Sequence, residues 1–190
     1  MKRWYLMRHG QTDYNRRRCF YGSHDVSINE QGQADSKQLA LLMQEHTVDA
    51  IYTSSLKRTQ ETAWLAFPER KVQPIADFDE RGFGQWEGLT ADEIEVAFPE
   101  VWQAWLEAPF EVTPPEAEVF ADFKTRVWAA TDRLLDSREE SMALVAHLGV
   151  LRLIYQHLVD GEAVFWNIDV PQGRVLLLEE RDQTWQATLL

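Results

Sequence analysis

The sequence predicts an α/β protein, a three-layer α/β/α sandwich in which helices cover both faces of a mostly parallel central sheet. Three observations support this prediction. Short β-like runs alternate with longer helical runs, the 190 residues suit one domain with one substantial core, and polar side chains follow the apolar strands. We therefore expect a single domain over residues 1–190.

The first half of the chain supplies two predicted strands, each followed by a helix. The run RWYLM predicts the first strand, and residues 29–45 predict a long helix. One face of that helix is expected to carry four apolar residues: Ala34, Leu39, Leu42 and Met43. The run DAIYT predicts the second strand, and the helix after it is expected to be capped by Ser54 or Ser55 and closed by Pro68.

The second half is predicted to contain an edge strand, an ordered loop, an insertion and a final strand, helix and hairpin. KVQPI tolerates its proline at a sheet edge, and DFDERGFGQWEG is a glycine-bearing loop. Residues 89–117 predict short helices and a proline-bearing connection, which together form a lid-like insertion. FADFKTRVWAATDRLLDS and VLRLIYQHLV are helical, SMALVA is a buried strand, and RVLLLEERDQTWQATLL predicts a hairpin or two edge strands.

Charge and cysteine content exclude several classes of function. The net charge of −12 opposes binding to nucleic acid or an anionic membrane, so an anionic ligand must be held by local cations. Cys19 is the single cysteine, which excludes an intramolecular disulfide and a zinc–thiolate cluster. No run resembles a signal peptide or a membrane span. We expect a cytoplasmic protein without nucleic-acid or membrane partners.

Histidines and arginines follow three of the predicted strands. Arg8 and His9 follow the first, Arg58 comes shortly after the second, and His147 follows SMALVA. The carboxyl ends of parallel strands meet at one edge of a sheet, so these side chains are expected to converge. A neutral imidazole is a nucleophile toward phosphorus, and a guanidinium binds phosphoryl oxygens. With Gly10 allowing a close backbone approach, RHG predicts a corner that accepts a phosphoryl group.

Each motif also has a plain structural interpretation when it is taken alone. RHG is short enough to occur by chance, Arg58 is equally well explained as a solvated helix residue, and a histidine at the end of a strand is more often structural. Most acids of DFDERGFGQWEG are expected to be solvated. The run 16–18 of three arginines is explained as well by a solvated loop as by substrate binding.

Four motifs together carry a family resemblance. RHGQTDYN, SSLKRTQETA, DERGFGQWEG and VAHLGVLR stand in the order, and at about the spacing, found in the histidine phosphatase superfamily. The chain resembles the phosphoglycerate-mutase-like branch of that superfamily over nearly its whole length. The resemblance implies a phosphoglycerate-mutase-like fold and hydrolysis of a small phosphorylated metabolite through a phosphohistidine. It implies no metal ion and no other cofactor, and either a monomer or a homodimer.

The resemblance also assigns roles to individual residues. His9 becomes transiently phosphorylated, while Arg8, Arg58 and His147 hold the phosphoryl oxygens. Glu80 protonates the leaving oxygen and later takes a proton from the attacking water, and a phosphate dianion favours the protonated form of a carboxyl group that faces it. A second set matches positions that border the substrate: Gln11, Thr12, Asn15, Gly22, Ser23 and Leu148.

Other features bear on the substrate. Leu148 stands where the family usually has glycine, so it is expected to narrow the pocket or shift a backbone donor. Residues 98–127 resemble the same region of α-ribazole phosphatases, with Glu118 at the glutamate position and Ala117 in place of the usual glycine. Three tryptophans are candidates for lining a pocket for a ring-bearing substrate: Trp86, Trp102 and Trp105.

Several other functions remain open at this stage. A broad-specificity phosphatase would share all the motifs, and so would a phosphoglycerate mutase. The chain lacks the inserted segments with which the mutases exclude water, which favours hydrolysis. A non-catalytic phosphate binder is disfavoured because it has no use for Glu80. A metal-dependent phosphatase is disfavoured because the acidic residues form no obvious cluster of oxygen ligands.

Overall fold

One mixed sheet organises the fold. The computed structural model describes all 190 residues, and its six strands lie in the order β3-β2-β4-β1-β5-β6. The strands are β1 Arg3–Arg8, β2 Ala50–Thr53, β3 Gln73–Pro74, β4 Ser141–Ala146, β5 Val175–Arg181 and β6 Thr184–Leu189. The first four are parallel, whereas β5 and β6 run antiparallel as a hairpin. The predicted mostly parallel sheet, its short edge strand and its final hairpin are confirmed.

Helices cover both faces of this sheet, which confirms the predicted three layers. They are α1 Asp13–Arg17, α2 Glu30–Met43, α3 Lys57–Ala66, α4 Ala91–Ala97, α5 Pro99–Glu107, α6 Phe120–Leu135 and α7 Leu148–Leu158. Successive side chains of a strand point to opposite faces. In β1, Tyr5 and Met7 therefore pack in the core beneath α2 and α3, whereas Trp4 and Leu6 pack beneath α6 and α7. No helix is apolar over a length that would cross a membrane.

The register of the three central strands aligns their carboxyl ends. Arg8 of β1 pairs with Ala146 of β4, and Thr53 of β2 pairs with Val145, which also belongs to β4. The next residues continue this alignment, because the His9 amide donates to the Ala146 carbonyl at 3.0 Å and the Ser54 amide to the Val145 carbonyl at 3.3 Å. The segments that follow β1, β2 and β4 thus begin side by side at one edge of the sheet.

Three local expectations differ from the structure. Ala34 is exposed, because the buried face of α2 runs through Gly32, Ser36, Leu39 and Met43, and Ala34 lies about 140° around the helix from Leu39. Neither serine caps α3, which begins after Leu56 without a side-chain cap. The short helix α1 was not predicted, and it depends on a capping box between Thr12 and Asn15.

The predicted insertion forms a small aromatic core of its own. A Thr90–Glu93 capping box starts α4, and Pro99 occupies the first turn of α5. Four side chains bury one another between these helices and the preceding loop: Trp86, Ile94, Trp102 and Trp105. The segment 89–117 therefore shares this core with Trp86 and packs against Phe20 and Phe83, and its lid-like action stays a prediction.

Candidate active site

A cavity of about 520 Å³ opens where β1, β2 and β4 end. All five residues predicted to be catalytic line it: Arg8, His9, Arg58, Glu80 and His147. Three of the residues predicted to border the substrate line it as well: Gln11, Asn15 and Leu148. The structure therefore brings side chains from four separate segments of the chain to one site.

His9 presents an unprotonated ring nitrogen to this cavity. Its Nδ1 lies 2.7 Å from the Gly10 carbonyl oxygen, which can only accept, so Nδ1 carries the proton and Nε2 keeps its lone pair. The side chain is buried, and burial holds the pKa of His9 well below its usual value, with the charges of Arg58 and then Arg8 acting in the same direction. A neutral, aimed imidazole is the form that attacks phosphorus.

His147 lies beside His9, with the two ring centroids 5.2 Å apart. Its Nε2 is 2.8 Å from the Ser54 hydroxyl, which fixes the orientation of the ring. The Nδ1 atom is buried and has no hydrogen-bond partner in the protein. Burial lowers the pKa of His147 well below its usual value, with Arg58 as the next largest cause. His147 is therefore placed to share a ligand with His9.

Two guanidinium groups face the same space. Arg58 is buried, and its terminal nitrogens donate to the carbonyl oxygens of His24 at 2.9 Å and Gly22 at 2.7 Å, while its carbon lies 4.7 Å from the Tyr21 ring centre. Arg8 is half-buried. The Nε atoms of both arginines are buried and unpaired within the protein. A buried unpaired donor is unfavourable by about 1–3 kcal/mol, so both groups favour an anionic ligand.

Glu80 enters the cavity from the loop between β3 and α4. Its Oε2 accepts the Gly149 amide at 3.0 Å, and its Oε1 accepts the Arg81 amide at 3.0 Å. Gly149 belongs to the first turn of α7, where the positive end of the helix dipole faces the carboxyl group. The absence of a side chain at Gly149 permits this approach, because a Cβ there would lie 2.4 Å from Oε1.

Arg126 holds the backbone of the Glu80 loop. It donates to the carbonyl oxygens of Asp77 at 2.9 Å, Asp79 at 2.7 Å and Glu80 at 3.3 Å. Glu118 accepts from Arg126 Nε at 2.7 Å and Nη2 at 2.9 Å, which completes a two-pronged ion pair. The segment that resembles α-ribazole phosphatases thus supplies two residues that position the Glu80 loop.

Three of the residues predicted to border the substrate do not line the cavity. The Thr12 hydroxyl is buried against the Tyr21 hydroxyl at 2.7 Å. The amides of Gly22 and Ser23 both donate to Glu87 at 2.9 Å, and the Gly22 carbonyl accepts from Arg58. These residues therefore act on the arrangement of the site through neighbours, because their polar groups are already paired within the protein.

Glu87 departs from the expectation that most acids of its loop are solvated. Its side chain is 3% exposed and accepts the amides of Gly22, Ser23, His24 and Phe83. Burial raises the pKa of Glu87, but these amide bonds outweigh that effect and hold the pKa below its usual value. Through these amide bonds the Glu87 carboxylate fixes the loop 22–24, and the carbonyl groups of Gly22 and His24 in that loop orient Arg58.

The backbone amides of the two residues after His9 are hydrogen-bonded within the protein. The Gly10 amide donates to the Thr62 hydroxyl at 2.9 Å, and the Gln11 amide donates to Asp35. The expectation that Gly10 admits a ligand is wrong, because a Cβ there would meet the Gly32 carbonyl oxygen of α2 at 2.3 Å. The glycine is required for packing of the loop against α2.

The sequence analysis did not single out Gln172 and Arg152, which line the cavity, and it left the role of the arginine run 16–18 open. Gln172 Nε2 donates to the His9 carbonyl at 3.1 Å and to Asn15 Oδ1 at 3.2 Å, which leaves Asn15 Nδ2 available to a ligand. Arg152 of α7 lines the wall near Glu80, and Arg18 alone of the three consecutive arginines reaches the cavity. No strand-end position or motif spacing marks Gln172 or Arg152, because Gln172 lies in the loop before β5 and Arg152 lies within α7.

The arrangement is suited to accepting a phosphoryl group. It combines an unprotonated imidazole nitrogen at His9, unpaired nitrogens of Arg8, Arg58 and His147, and a carboxyl group at Glu80. No three His, Cys, Asp or Glu side chains come together in an arrangement that could hold a metal ion. The groups that line the cavity thus match the binding and transfer of an anion by side chains.

Comparison with known proteins agrees with this chemistry. The Histidine phosphatase superfamily (branch 1) matches residues 4–190. Adenosylcobalamin/alpha-ribazole phosphatase of Escherichia coli (strain K12) is 29% identical over 177 residues, 91% of this chain and 87% of that protein. Phosphoserine phosphatase 1 of Hydrogenobacter thermophilus is 28% identical over 183 residues, 93% of this chain and 86% of that protein. The crystal structure of the alpha-ribazole phosphatase from Shigella flexneri is 26% identical and has a TM-score of 0.91, covering 99% of this chain and 95% of that chain. The chain belongs to the histidine phosphatase superfamily, as its four motifs predicted.

Proposed function

We propose that the protein hydrolyses phosphomonoesters through a phosphohistidine at His9, without a metal ion. The observation that carries this proposal is the set of buried nitrogens around His9 that have no partner in the protein: Arg8 Nε, Arg58 Nε and His147 Nδ1. Phosphoryl oxygens are acceptors that satisfy all three. The neutral His9 imidazole and the Glu80 carboxyl group line the same cavity, so both would contact a phosphoryl group bound there.

In the first step the phosphoryl group moves from substrate to enzyme. The His9 Nε2 lone pair attacks phosphorus, and the bond from phosphorus to the ester oxygen breaks. Protonated Glu80 gives its proton to the departing oxygen, so an alcohol leaves rather than an alkoxide. The proton on His9 Nδ1 stays in its bond to the Gly10 carbonyl, which stabilises the positive charge that the ring acquires.

In the second step water returns the enzyme to its starting state. Glu80, now a carboxylate, takes a proton from a water molecule whose oxygen attacks phosphorus. The bond between phosphorus and His9 Nε2 breaks, inorganic phosphate forms, and Glu80 is again protonated. Arg8, Arg58 and His147 hold the non-transferring oxygens in both steps, because the phosphoryl group stays beside the same side chains.

We further propose α-ribazole 5′-phosphate as the substrate. Support comes from the likeness to the α-ribazole phosphatases of two bacteria and from Glu118 and Arg126, which lie in the segment that resembles those enzymes. The similar likeness to a phosphoserine phosphatase favours phosphoserine as the second candidate. A broad-specificity phosphatase and a phosphoglycerate mutase are the remaining alternatives.

The experiment measures phosphate release in excess EDTA from α-ribazole 5′-phosphate, phosphoserine, phosphoglycerates, sugar phosphates and nucleotides. A preference for α-ribazole 5′-phosphate of about 100-fold in kcat/KM supports the proposed substrate, whereas comparable rates assign a broad-specificity enzyme. Isomerised phosphoglycerate without phosphate release assigns a mutase. Activity that disappears in EDTA contradicts the proposed independence of metal ions.

The covalent step is tested with ³²P-labelled substrate and a rapid quench. Wild-type protein should trap label that is stable to alkali and labile to acid, as a phosphohistidine is, and His9→Ala should trap none. His157→Ala is the matched control, because His157 pairs with Asp132 and does not line the cavity. Full turnover by His9→Ala would contradict the mechanism.

A further inference from the structure

A second, aromatic cavity adjoins the catalytic one. Its volume is about 130 Å³, and four residues line both cavities: Glu80, Phe83, Leu148 and Arg152. Glu80 is the group proposed to protonate the departing oxygen. The part of the substrate attached to that oxygen therefore leaves on the side where the two cavities meet.

The walls of this aromatic cavity come from two parts of the chain. Phe110 follows α5, and Trp166 follows α7. Their rings stack with centroids 5.6 Å apart and planes 11° apart. The ring centre of Phe120 lies 4.5 Å from that of Phe110. The ring centres of Phe165 and Trp166 lie 5.0 Å apart, with the two rings edge to face. All three tryptophans of the predicted set belong to the aromatic core of the insertion, but Trp105 alone also lines this cavity, where its ring centre lies 6.3 Å from that of Trp166.

Two guanidinium groups border the same aromatic walls. The Arg152 carbon lies 5.2 Å from the Phe165 ring centre and 5.4 Å from that of Trp166. The Arg81 carbon lies 5.5 Å from the Phe120 ring centre. Arg81 is only 5% exposed, and its Nη2 atom is buried without a hydrogen-bond partner in the protein. These charges oppose a cationic guest and favour an electron-rich planar group, which stacks on guanidinium and aromatic faces alike.

The size of the aromatic cavity fits one ring. An apolar cavity of about 150 Å³ accepts a benzene ring, which is close to the volume found here. Leu148 stands between the two cavities and contributes apolar surface to each, so the side chain that replaces the family's usual glycine borders the path from phosphate to ring. Because the two cavities share lining residues, the guest expected to occupy both is a compact aromatic group joined to the phosphate through a short link.

We infer that the aromatic cavity between Phe110, Phe165 and Trp166 binds a planar aromatic ring of the substrate's leaving group. The enzyme therefore selects phosphomonoesters whose alcohol carries an uncharged, flat ring near the ester oxygen. This inference rests on the proposed phosphatase function for its kinetic test, but ring binding itself does not depend on turnover. α-Ribazole 5′-phosphate carries an aromatic base that is joined to its phosphate through a ribose, and phosphoserine carries no ring.

The kinetic test compares benzyl, cyclohexylmethyl and ethyl phosphates, all esters of primary alcohols. Their leaving groups need similar protonation, so differences report binding of the group beyond the oxygen. One aromatic contact is equivalent to about 2- to 12-fold in affinity. We expect kcat/KM for benzyl phosphate to exceed that for cyclohexylmethyl phosphate by about tenfold. Equal values for the two would overturn the inference.

Variants locate the ring. Trp166→Leu should lower the benzyl preference to about twofold and leave ethyl phosphate hydrolysis unchanged, and its native side chain is exposed enough (48%) for the fold to tolerate the change. Trp64→Leu is the matched control, because Trp64 is 58% exposed on α3 and does not line the aromatic cavity. Equal loss of the preference in both variants would contradict the assignment to this cavity.

Binding of non-hydrolysable analogues separates failure of this inference from failure of the proposed function. Isothermal titration of benzylphosphonate, cyclohexylmethylphosphonate and methylphosphonate requires no turnover. Tighter binding of benzylphosphonate by about tenfold, lost in Trp166→Leu, supports the ring site even if no ester is hydrolysed. Hydrolysis of ethyl phosphate with equal binding of the two ring phosphonates keeps the phosphatase and overturns the ring site.

Discussion

Replacing Gly149 with alanine is predicted to displace the catalytic carboxyl group while leaving the fold intact. A Cβ on Gly149 would lie 2.4 Å from Glu80 Oε1 and 3.1 Å from Oε2, and real Cβ contacts essentially never fall below 3.0 Å. The carboxyl group must therefore move by at least 0.6 Å, the difference between 3.0 and 2.4 Å. The side chain of Glu80 moves rather than the helix, because the backbone of α7 is held by its own hydrogen bonds.

The expected kinetic effect follows from that displacement. A misplacement of about 1 Å lowers a rate by as much as 100-fold, so phosphoryl transfer from benzyl phosphate to His9 should slow by roughly 10- to 100-fold. Transfer from p-nitrophenyl phosphate should slow by less than about threefold, because its weakly basic leaving group needs little protonation. Rapid-quench rates of phosphoenzyme formation in a single turnover isolate this step from the later hydrolysis.

A second glycine provides the control for this prediction. At Gly161 a Cβ meets only the Gln156 carbonyl oxygen, at 3.7 Å, so Gly161→Ala should keep wild-type rates on both substrates. Alanine is favoured over glycine inside a helix by up to about 1 kcal/mol, so Gly149→Ala should melt no earlier than the wild-type protein. The reasoning is refuted if Gly149→Ala transfers from benzyl phosphate at the wild-type rate, or if both substrates slow equally.

Three further predictions follow from the contacts of the site. Arg126→Met should lower the free energy of unfolding by about 2–4 kcal/mol, because it removes an ion pair and three hydrogen bonds to the Glu80 loop. Urea titration measures this change, and an unchanged urea midpoint of unfolding would contradict the role of Arg126. Ser54→Ala should lower kcat about tenfold, equivalent to about 1.4 kcal/mol, because His147 Nε2 loses its partner. A kcat equal to that of the wild-type protein would count against this role of Ser54. His9 and His147 have pKa values held well below about 6.5, chiefly by burial, so the unfolded chain binds more protons below that pH. The free energy of unfolding should therefore fall as the pH drops from about 7.5 to about 5.5, by at most about 1.4 kcal/mol per pH unit for each histidine, and His9→Gln should show a shallower dependence.

The convergence of Arg8, His9 and His147 followed from the sequence because strand periodicity and chain order constrain it. β1 and β4 are continuous apolar runs, which is typical of strands covered on both faces. The residue after such a strand emerges at the carboxyl edge of the sheet whatever its side chain. Arg58 comes five residues after the end of β2 at Thr53, so the same argument placed it at this edge, whereas Glu80 was placed by the family resemblance.

Partners that lie far apart along the chain could not be predicted in the same way. Gln172 donates to the His9 carbonyl across 163 positions, and no local pattern marks it. Glu87 looked like one acid among several in its loop, yet it is buried beneath four amides. Gly10 resembled a ligand-facing glycine, but the close neighbour that requires it is Gly32 of α2. Such roles depend on which segments pack together.

The sequence by itself determined the fold class, the family, and the set of groups that meet at one sheet edge, because these depend on periodicity and on the order of motifs along the chain. Only the tertiary structure decided which nitrogen of His9 is free, which atoms hold Glu80, and that an aromatic cavity adjoins the phosphate site. Hydrogen-bond geometry and cavity shape arise from distances of a few tenths of an ångström between segments that are remote in sequence. Local propensities do not encode such distances, which the packing of the whole chain sets.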